Sequence, residues 1–255
     1  MKSNRWIPPL VAFFVLSFIF EALIYLELIN AQLFPPPTKV ILVLRELSQD
    51  FMTAFKETFI SVIWGFLISL FLGLLISIIF SLNNYLRKSI LPFAIFFQTV
   101  PIIAIAPLLV IYFGFGRPTV VAAAAIVSLF PIIANALVGL DNADKNHKEL
   151  FKIFKASKLQ TLLRLQLPSA YLSIMTGVKV AAGLSVIGAV AGEFVAGGGL
   201  GAMIDSARTQ QRIDIVFAAL VLLSLIGLIL IFFVQAIHWL FQKWRPLAFN
   251  LKGFL

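Results

Sequence analysis

Thr58–Leu86 reads TFISVIWGFLISLFLGLLISIIFSLNNYL and contains no charged side chain. About 20 apolar residues in a helix, rising 1.5 Å each, cross the roughly 30 Å hydrocarbon layer of a bilayer, and this run is longer than that. Lipid offers no partner to a backbone N–H or C=O, so a crossing segment bonds to itself as a helix. The composition carries the reading to the whole chain. Its 255 residues are 61% hydrophobic and only 12% charged, whereas the outside of a soluble domain must face water. The class is an all-α, polytopic membrane protein. Within the run, Ser61, Gly65, Ser69, Gly73 and Ser77 recur every fourth residue. That spacing lines small side chains along one ridge, where another helix can approach closely. The ridge packs within one subunit, meets a second subunit, or faces a pathway.

Upstream, Lys2 and Arg5 precede an apolar run from Pro8 to about Leu26. A cleavable signal peptide competes here, but the run is long for one and lacks a small-x-small cleavage site. We read it as a first membrane helix with its N-terminus inside the cell and Glu21 near its outer end. Phe34-Pro35-Pro36-Pro37-Thr38 makes a stiff extended link. Thr38 is then the expected N-cap of an interfacial helix over Lys39–Ser48.

Downstream, Asn83-Asn84-Tyr85 with Arg87-Lys88 makes an inner turn. A third span is expected over about Ile90–Phe113, bent by Pro92, Pro101 and Pro107 and carrying Gln98. Gly114–Pro118 forms an outer turn. A fourth span covers about Thr119–Leu140, with Pro131 and Asn135 inside it. The fifth, about Leu172–Gly192, is rich in small residues, and Lys179 in its inner part can snorkel toward the cytoplasm. Glu193 and the turn Gly197-Gly198-Gly199-Leu200-Gly201 follow, the glycines permitting an irregular backbone. Ala202–Asp214 is expected to be polar and external, and Ile215–Phe241 is the sixth span. By this layout thirteen of the 20 basic residues fall inside and six outside, Lys179 set aside. The positive-inside rule then gives about six transmembrane helices with both termini cytoplasmic, in one domain over 1–255.

The same distribution accounts for the net charge of +9 without nucleic acid. Cysteine is absent, and His147 and His238 stand far apart, so no metal site and no cofactor is expected. No paired aspartates, His-Glu-x-x-His or Ser/His pair lies in the spans, so no catalytic residues are expected. The polar or bend-forming residues in or beside the spans are Gln98, Pro101, Asn135, Ser185 and Glu193, the candidates for a translocation pathway or gate. A charge at mid-bilayer costs about 2.5–3.5 kcal/mol on insertion scales. Glu193 therefore lies near the surface or faces a watery cavity, as a gating or structural group or as a substrate contact. Gln98 and Asn135 also read as interhelical hydrogen-bonding residues. An ion-coupled secondary transporter or channel independent of ATP is the alternative function, although spans almost free of carboxylates argue against it.

Asp141–Ala170, DNADKNHKELFKIFKASKLQTLLRLQLPSA, holds six Lys/Arg residues. On a helical wheel Leu150, Phe151, Ile153 and Phe154 share one arc, and Lys145, Lys148, Lys152 and Lys155 the opposite one, which makes an amphipathic helix. A second short helix follows with Leu159, Leu162 and Leu163 on one side, and Pro168 is expected to break it from the next span.

The spacing within this loop resembles the EAA loop of the membrane subunits of bacterial ABC importers. That pattern is Glu-Ala-Ala, three residues, Gly, nine residues, Ile, any residue, Leu-Pro. Glu149, Leu165, Leu167 and Pro168 fall on it, with Leu150 and Phe151 at the alanine positions and Lys155 at the glycine. Gly192-Glu193 and the turn at Gly199-Leu200-Gly201 also resemble the nitrate/sulfonate/taurine branch of these permeases, over roughly residues 35–246. The resemblance implies a multi-pass permease of the bacterial inner membrane that works as a homodimer. Two ATPase subunits would grip the loop over 141–170, a cytoplasmic coupling helix between spans four and five. A separate solute-binding protein, periplasmic or lipid-anchored, would deliver a small anion, sulfonate or vitamin precursor. The residues implied to meet the ATPase are Glu149, Phe151, Phe154, Lys155, Ala156, Leu165, Leu167 and Pro168, with Lys148 and Lys152 at its polar rim. This chain has no phosphate-binding loop of its own.

Overall fold

A computed structural model describes residues 7–244, and the regular structure in them is helical throughout. Lys2, Arg5, Arg245 and Lys252, which contribute to the expected orientation, lie outside the described residues. The helices are α1 (Ile7–Tyr25), α2 (Pro37–Glu46), α3 (Ser48–Leu82), α4 (Asn84–Thr99), α5 (Ile102–Phe113), α6 (Arg117–Asp141), α7 (Lys145–Ile153), α8 (Lys158–Thr161), α9 (Leu167–Ala196), α10 (Gly199–Thr209) and α11 (Ile213–Trp244). A π-turn, Leu162–Gln166, joins α8 to α9.

Among the described residues, four helical stretches are long and apolar enough to cross a membrane: Ser48–Leu82, Arg117–Asp141, Lys158–Ala196 and Ile213–Lys243. Val15–Tyr25 and Ile102–Phe113 are shorter apolar stretches. Six spans were expected. The third of them is two helices rather than one, because the chain leaves the helix at Val100 and Pro101. Pro101 has φ −60° and ψ 125° and starts α5 from outside it. A proline also drives the residue before it out of the helical region. Pro92, Pro107 and Pro131 are accommodated inside α4, α5 and α6.

The core is built on α6, which packs along both α3 and α9. Glycines set how near the axes come. A Cβ at Gly188 would lie 2.7 Å from the Ala123 carbonyl oxygen, and one at Gly192 would lie 2.9 Å from Cα of Val120. On α3, a Cβ at Gly73 would lie 2.8 Å from Ile132, and one at Gly65 would meet Cβ of Ala124. The ridge of small residues on α3 therefore packs within the chain. Ser61, Ser69 and Ser77 on it are buried, and each hydroxyl donates to a carbonyl of its own helix. Hydrocarbon gives helices no hydrophobic reason to associate, so close van der Waals contact supplies the attraction. The outward side chains, Trp64, Phe71 and Ile111 among them, are large, apolar and exposed, as a lipid-facing surface requires.

Three boundaries differ from expectation for local reasons. The helix expected over Lys39–Ser48 is α2, opened by Pro37 in its first turn, and the Thr38 hydroxyl donates to Glu21 Oε1 (2.5 Å) instead of capping. Pro168 does not separate two helices. The π-turn shifts the hydrogen-bond register, with Leu167 N–H donating to the Leu162 carbonyl, and Pro168 enters in the first turn of α9, where a missing N–H costs little. The polar stretch expected over 202–214 is helical in its first part, where α10 buries Ile204 and Ala207 while Ser206 and residues 208–212 stay exposed. Asp214 is buried as well, held by Nε and Nη2 of Arg212 at 3.0 Å each.

Candidate functional site

Two constellations stand at opposite ends of α9. The first is the polar loop. Asp144 begins α7 by accepting the N–H groups of Asn146 (2.7 Å) and His147 (3.2 Å). Those bonds, that of His147 foremost, hold its carboxyl below the ordinary carboxylate range. At the other end Lys155 takes φ +51°. Its N–H donates to the Lys152 carbonyl (2.9 Å), and the N–H of Ala156 to the Phe151 carbonyl (2.9 Å). These two bonds form a Schellman motif, whose left-handed residue is most often glycine. That residue is the position where the EAA pattern carries its glycine, so the pattern's glycine has a backbone reason. Ser157 and Gln160 then form a reciprocal capping box that opens α8.

The loop is fastened to the bundle behind it. Leu162 is fully buried against Leu140 and Ala170, with Leu82 and Leu167 packed around them. Arg87 on α4 donates Nη1 to Asp141 Oδ1 at 2.7 Å, and Lys148 Nζ donates to the Asp141 carbonyl at 2.7 Å. Of the residues expected to meet the ATPase, Phe151, Ala156, Leu165 and Leu167 are half-buried, while Glu149, Phe154, Lys155 and Pro168 are exposed. Ile153 and Phe154 are each 75% exposed. α7 thus presents part of its apolar arc without a partner among the described residues. Lys148 and Lys152 line a cleft against Ser81 and Leu82, at the end of α3.

The second constellation is built on Glu193, which is 2% exposed. Its Oε1 accepts the Thr58 hydroxyl (2.7 Å) and its Oε2 the N–H of Gly201 (2.7 Å). Thr58 Oγ1 accepts the N–H of Leu200 (2.8 Å), and Glu57 Oε2 the N–H of Gly199 (2.8 Å). The first N–H groups of a helix have no carbonyl in the helix to bond. In α10 three of them are satisfied by side chains from α3 and α9. The carboxylates also sit at the positive end of the helix dipole. Gly197, Gly198 and Gly199 all have positive φ, and a Cβ at Gly201 would lie 2.7 Å from Cβ of Glu193. Glu57, Ser61, Arg117, Glu193 and Gly198 line a small cleft of about 160 Å³ beside this cap. The partnership of Glu57 and Thr58 with the glycine turn has no signature in the sequence, because a cap supplied from a distant helix has no fixed spacing.

Among the described side chains, the pathway candidates stand in different surroundings. Pro101 lines an apolar cleft of about 380 Å³ with Ile105, Val127, Phe130, Ile133 and Leu184. Ser185 is fully buried and donates to the Ala182 carbonyl (2.8 Å). Asn135 donates to the Pro131 carbonyl of its own helix (2.8 Å), where α6 meets Gly177 of α9. Gln98 lies on α4, with its side chain outside the described residues.

The model of the family described as binding-protein-dependent transport system inner membrane component matches residues 65–243, which contain the polar loop, Glu193 and the glycine turn. The chain belongs to this family. It is the permease component of an ABC importer, a transport subunit of the inner membrane rather than an enzyme. The formylaminopyrimidine transport permease protein ThiX of Halalkalibacterium halodurans is 32% identical over 247 residues, 96% of this chain and 98% of the relative. A probable ABC transporter permease protein of Haemophilus influenzae is 31% identical over 94% of this chain and 97% of its own length. A putative aliphatic sulfonates transport permease protein of Bacillus subtilis is 26% identical over 96% and 90%. Members of this family imply an ATPase and a solute-binding protein as partners.

In this permease, Glu193→Ala leaves the Thr58 hydroxyl and the Gly201 N–H without an acceptor. Each buried donor so stranded costs about 1–3 kcal/mol, so the purified chain is expected to lose about 2–6 kcal/mol. Thermal unfolding in detergent measures the loss. An unchanged midpoint with transport abolished would assign Glu193 to the solute instead. Lys155→Gly relieves a left-handed conformation that costs a side chain roughly 1–2 kcal/mol, and is expected to raise the stability of the loop. Hydrogen exchange at Ala156 reads this out, and faster exchange in the variant would contradict it.

Proposed function

We propose that α7 is the coupling helix of the importer and that ATP drives transport by moving it. The observation that carries the reading is the exposed apolar side of α7 at Ile153 and Phe154, on a short helix closed at both ends by caps. Nine residues in isolation do not hold a helix in water. The Asp144 cap, the Schellman end and the buried Leu162 keep this one formed while its apolar side stays open. A hydrophobic side displayed on so short a scaffold suits insertion into a groove of a partner, the helix-in-groove mode of recognition. Glu149, Phe154, Lys155 and Pro168 lie on the accessible part of the loop. Phe151, Ala156, Leu165 and Leu167 face inward enough to carry a displacement of the loop into α9.

In this reading the chain crosses the membrane six times, with α4 and α5 together making the third crossing, and both termini lie in the cytoplasm. Two copies form the permease, with the pathway near their two-fold axis and Gln98, Pro101, Asn135, Ser185 and Glu193 as pathway or gate residues. Closure of two ATPase subunits draws the coupling loops together and tilts the helices from inward-open to outward-open. A separate binding protein delivers the solute, which is a small anion, sulfonate or pyrimidine precursor. The names of relatives support that range, since they include sulfonate, nitrate, bicarbonate and formylaminopyrimidine permeases.

Phe154→Asp places a charge where the docking groove would be apolar, at a side chain that is exposed. The variant is expected to keep its fold and lose at least tenfold in ATP-dependent uptake, in line with the loss of an anchoring aromatic worth about 2 kcal/mol or more. Uptake at the normal rate would remove α7 from the ATPase contact. The absence of cysteine gives a clean test of topology. Ser157→Cys is expected to react with an impermeant maleimide only in inside-out vesicles, and Gln210→Cys only in right-side-out ones. Reaction of both from the same side would overturn the six-span arrangement.

A further inference from the structure

The lysines of α7 are not arranged like its apolar arc. Lys148 and Lys152 line an open cleft of about 460 Å³, together with Lys158, Ser81, Thr161 and Gln166. Ligand sites commonly have volumes of about 300–1,000 Å³. Three lysines line this cleft, and no carboxylate does. Lys148 is anchored by the Asp141 carbonyl at 2.7 Å. Lys152 and Lys158 have no ion-pair or hydrogen-bond partner among the described residues.

We propose that this cleft binds the phosphate headgroup of an anionic phospholipid. The chemistry is that of a phosphate site, with three lysines and no carboxylate around one space. Its level relative to the membrane selects the source. Ser81 and Leu82 are the last residues of α3, at the end of the uncharged run, where the hydrocarbon layer gives way to headgroups. Lysines at that depth extend their ammonium groups along the interface while their methylene stems cover apolar surface. Leu82 and Ala156 on the cleft wall supply such surface. Basic pockets between helices at a membrane face are known seats for anionic headgroups.

The opposite arc of α7 argues against an acidic side chain of the ATPase as the occupant. Successive residues turn 100° around a helix, which puts Phe154 about 160° from Lys152 and about 120° from Lys148. A partner seated on Ile153 and Phe154 therefore leaves the cleft on the other side of the helix, toward the lipid. The headgroup would hold α7 against the end of α3, so that the docking helix and the nearest span move with the same lipid.

The experiment uses the full chain purified together with its ATPase subunit in mild detergent. Native mass spectrometry measures the retention of added phosphatidylglycerol against phosphatidylcholine, and thermal unfolding measures the stabilisation by each. Each lysine at an anionic surface is worth on the order of fivefold in affinity. The wild type is expected to prefer phosphatidylglycerol by about tenfold or more. Replacing Lys148, Lys152 and Lys158 together by glutamine should reduce this preference to about twofold or less, while Lys243→Gln leaves it intact. Equal retention of the two lipids by the wild type overturns the proposal without reference to any variant. Preference retained in the triple variant also overturns it. Stabilisation by inorganic phosphate, with no preference between lipids, makes the site one for free phosphate. Loss of the ATPase from the triple variant, with the lipid preference kept, makes the cleft a protein contact.

Discussion

A helix bundle in lipid is held by contact, and here the contact is made by what α3 and α9 lack. Gly65 and Gly73 on one side, and Gly177, Gly188 and Gly192 on the other, bring both helices against the backbone of α6. The position of α6 then decides the two ends of the molecule. At one end Gly116 donates its N–H to the Ala196 carbonyl, which ties the start of α6 to the glycine turn after α9. At the other end Asp141 accepts Arg87 and Lys148, which seats the loop. Both constellations are thus arranged by one triple packing of helices.

The glycine turn shows how a local oddity is compensated from a distance. Three consecutive residues with positive φ release α9 and begin α10 in a direction an ordinary chain could not take. The start of α10 would then bury unpaired N–H groups. Glu57 and Thr58 from α3 and Glu193 from α9 accept them, so the same contacts that finish α10 also join α3 to α9. A buried carboxylate is tolerable in such a place because both of its oxygens are occupied by donors.

The membrane class, the small-residue ridge and the amphipathic character of the loop were legible in the sequence, because each depends on periodicity and composition within one helix. The glycine-rich turn was legible for the same reason, since only glycine enters those backbone regions freely. What could not be read depended on partners. Four prolines lie in apolar stretches between Ile90 and Leu140, and only Pro101 ends a helix. The neighbours that let a chain continue past the other three are not adjacent in sequence. Thr58 looked like the first residue of a span and is a cap for α10. Lys155 looked like a departure from the EAA pattern at its glycine. The conformation there is the one glycine favours, and the lysine adopts it.

The junction at Leu162–Gln166 makes α8 and α9 one continuous piece. From Lys158 to Ala196 the chain is one helical rod of 39 residues, about 58 Å long. Its middle is clamped along α6 wherever a glycine removes the gap. The π-turn lies at the loop end, and there Leu162 is buried against Leu140 of α6 while Gln166 Nε2 donates to the Leu140 carbonyl. The rod is therefore held at its loop end as well as along its middle, and the carboxyl group of Glu193 stands at the far end of the same piece of helix.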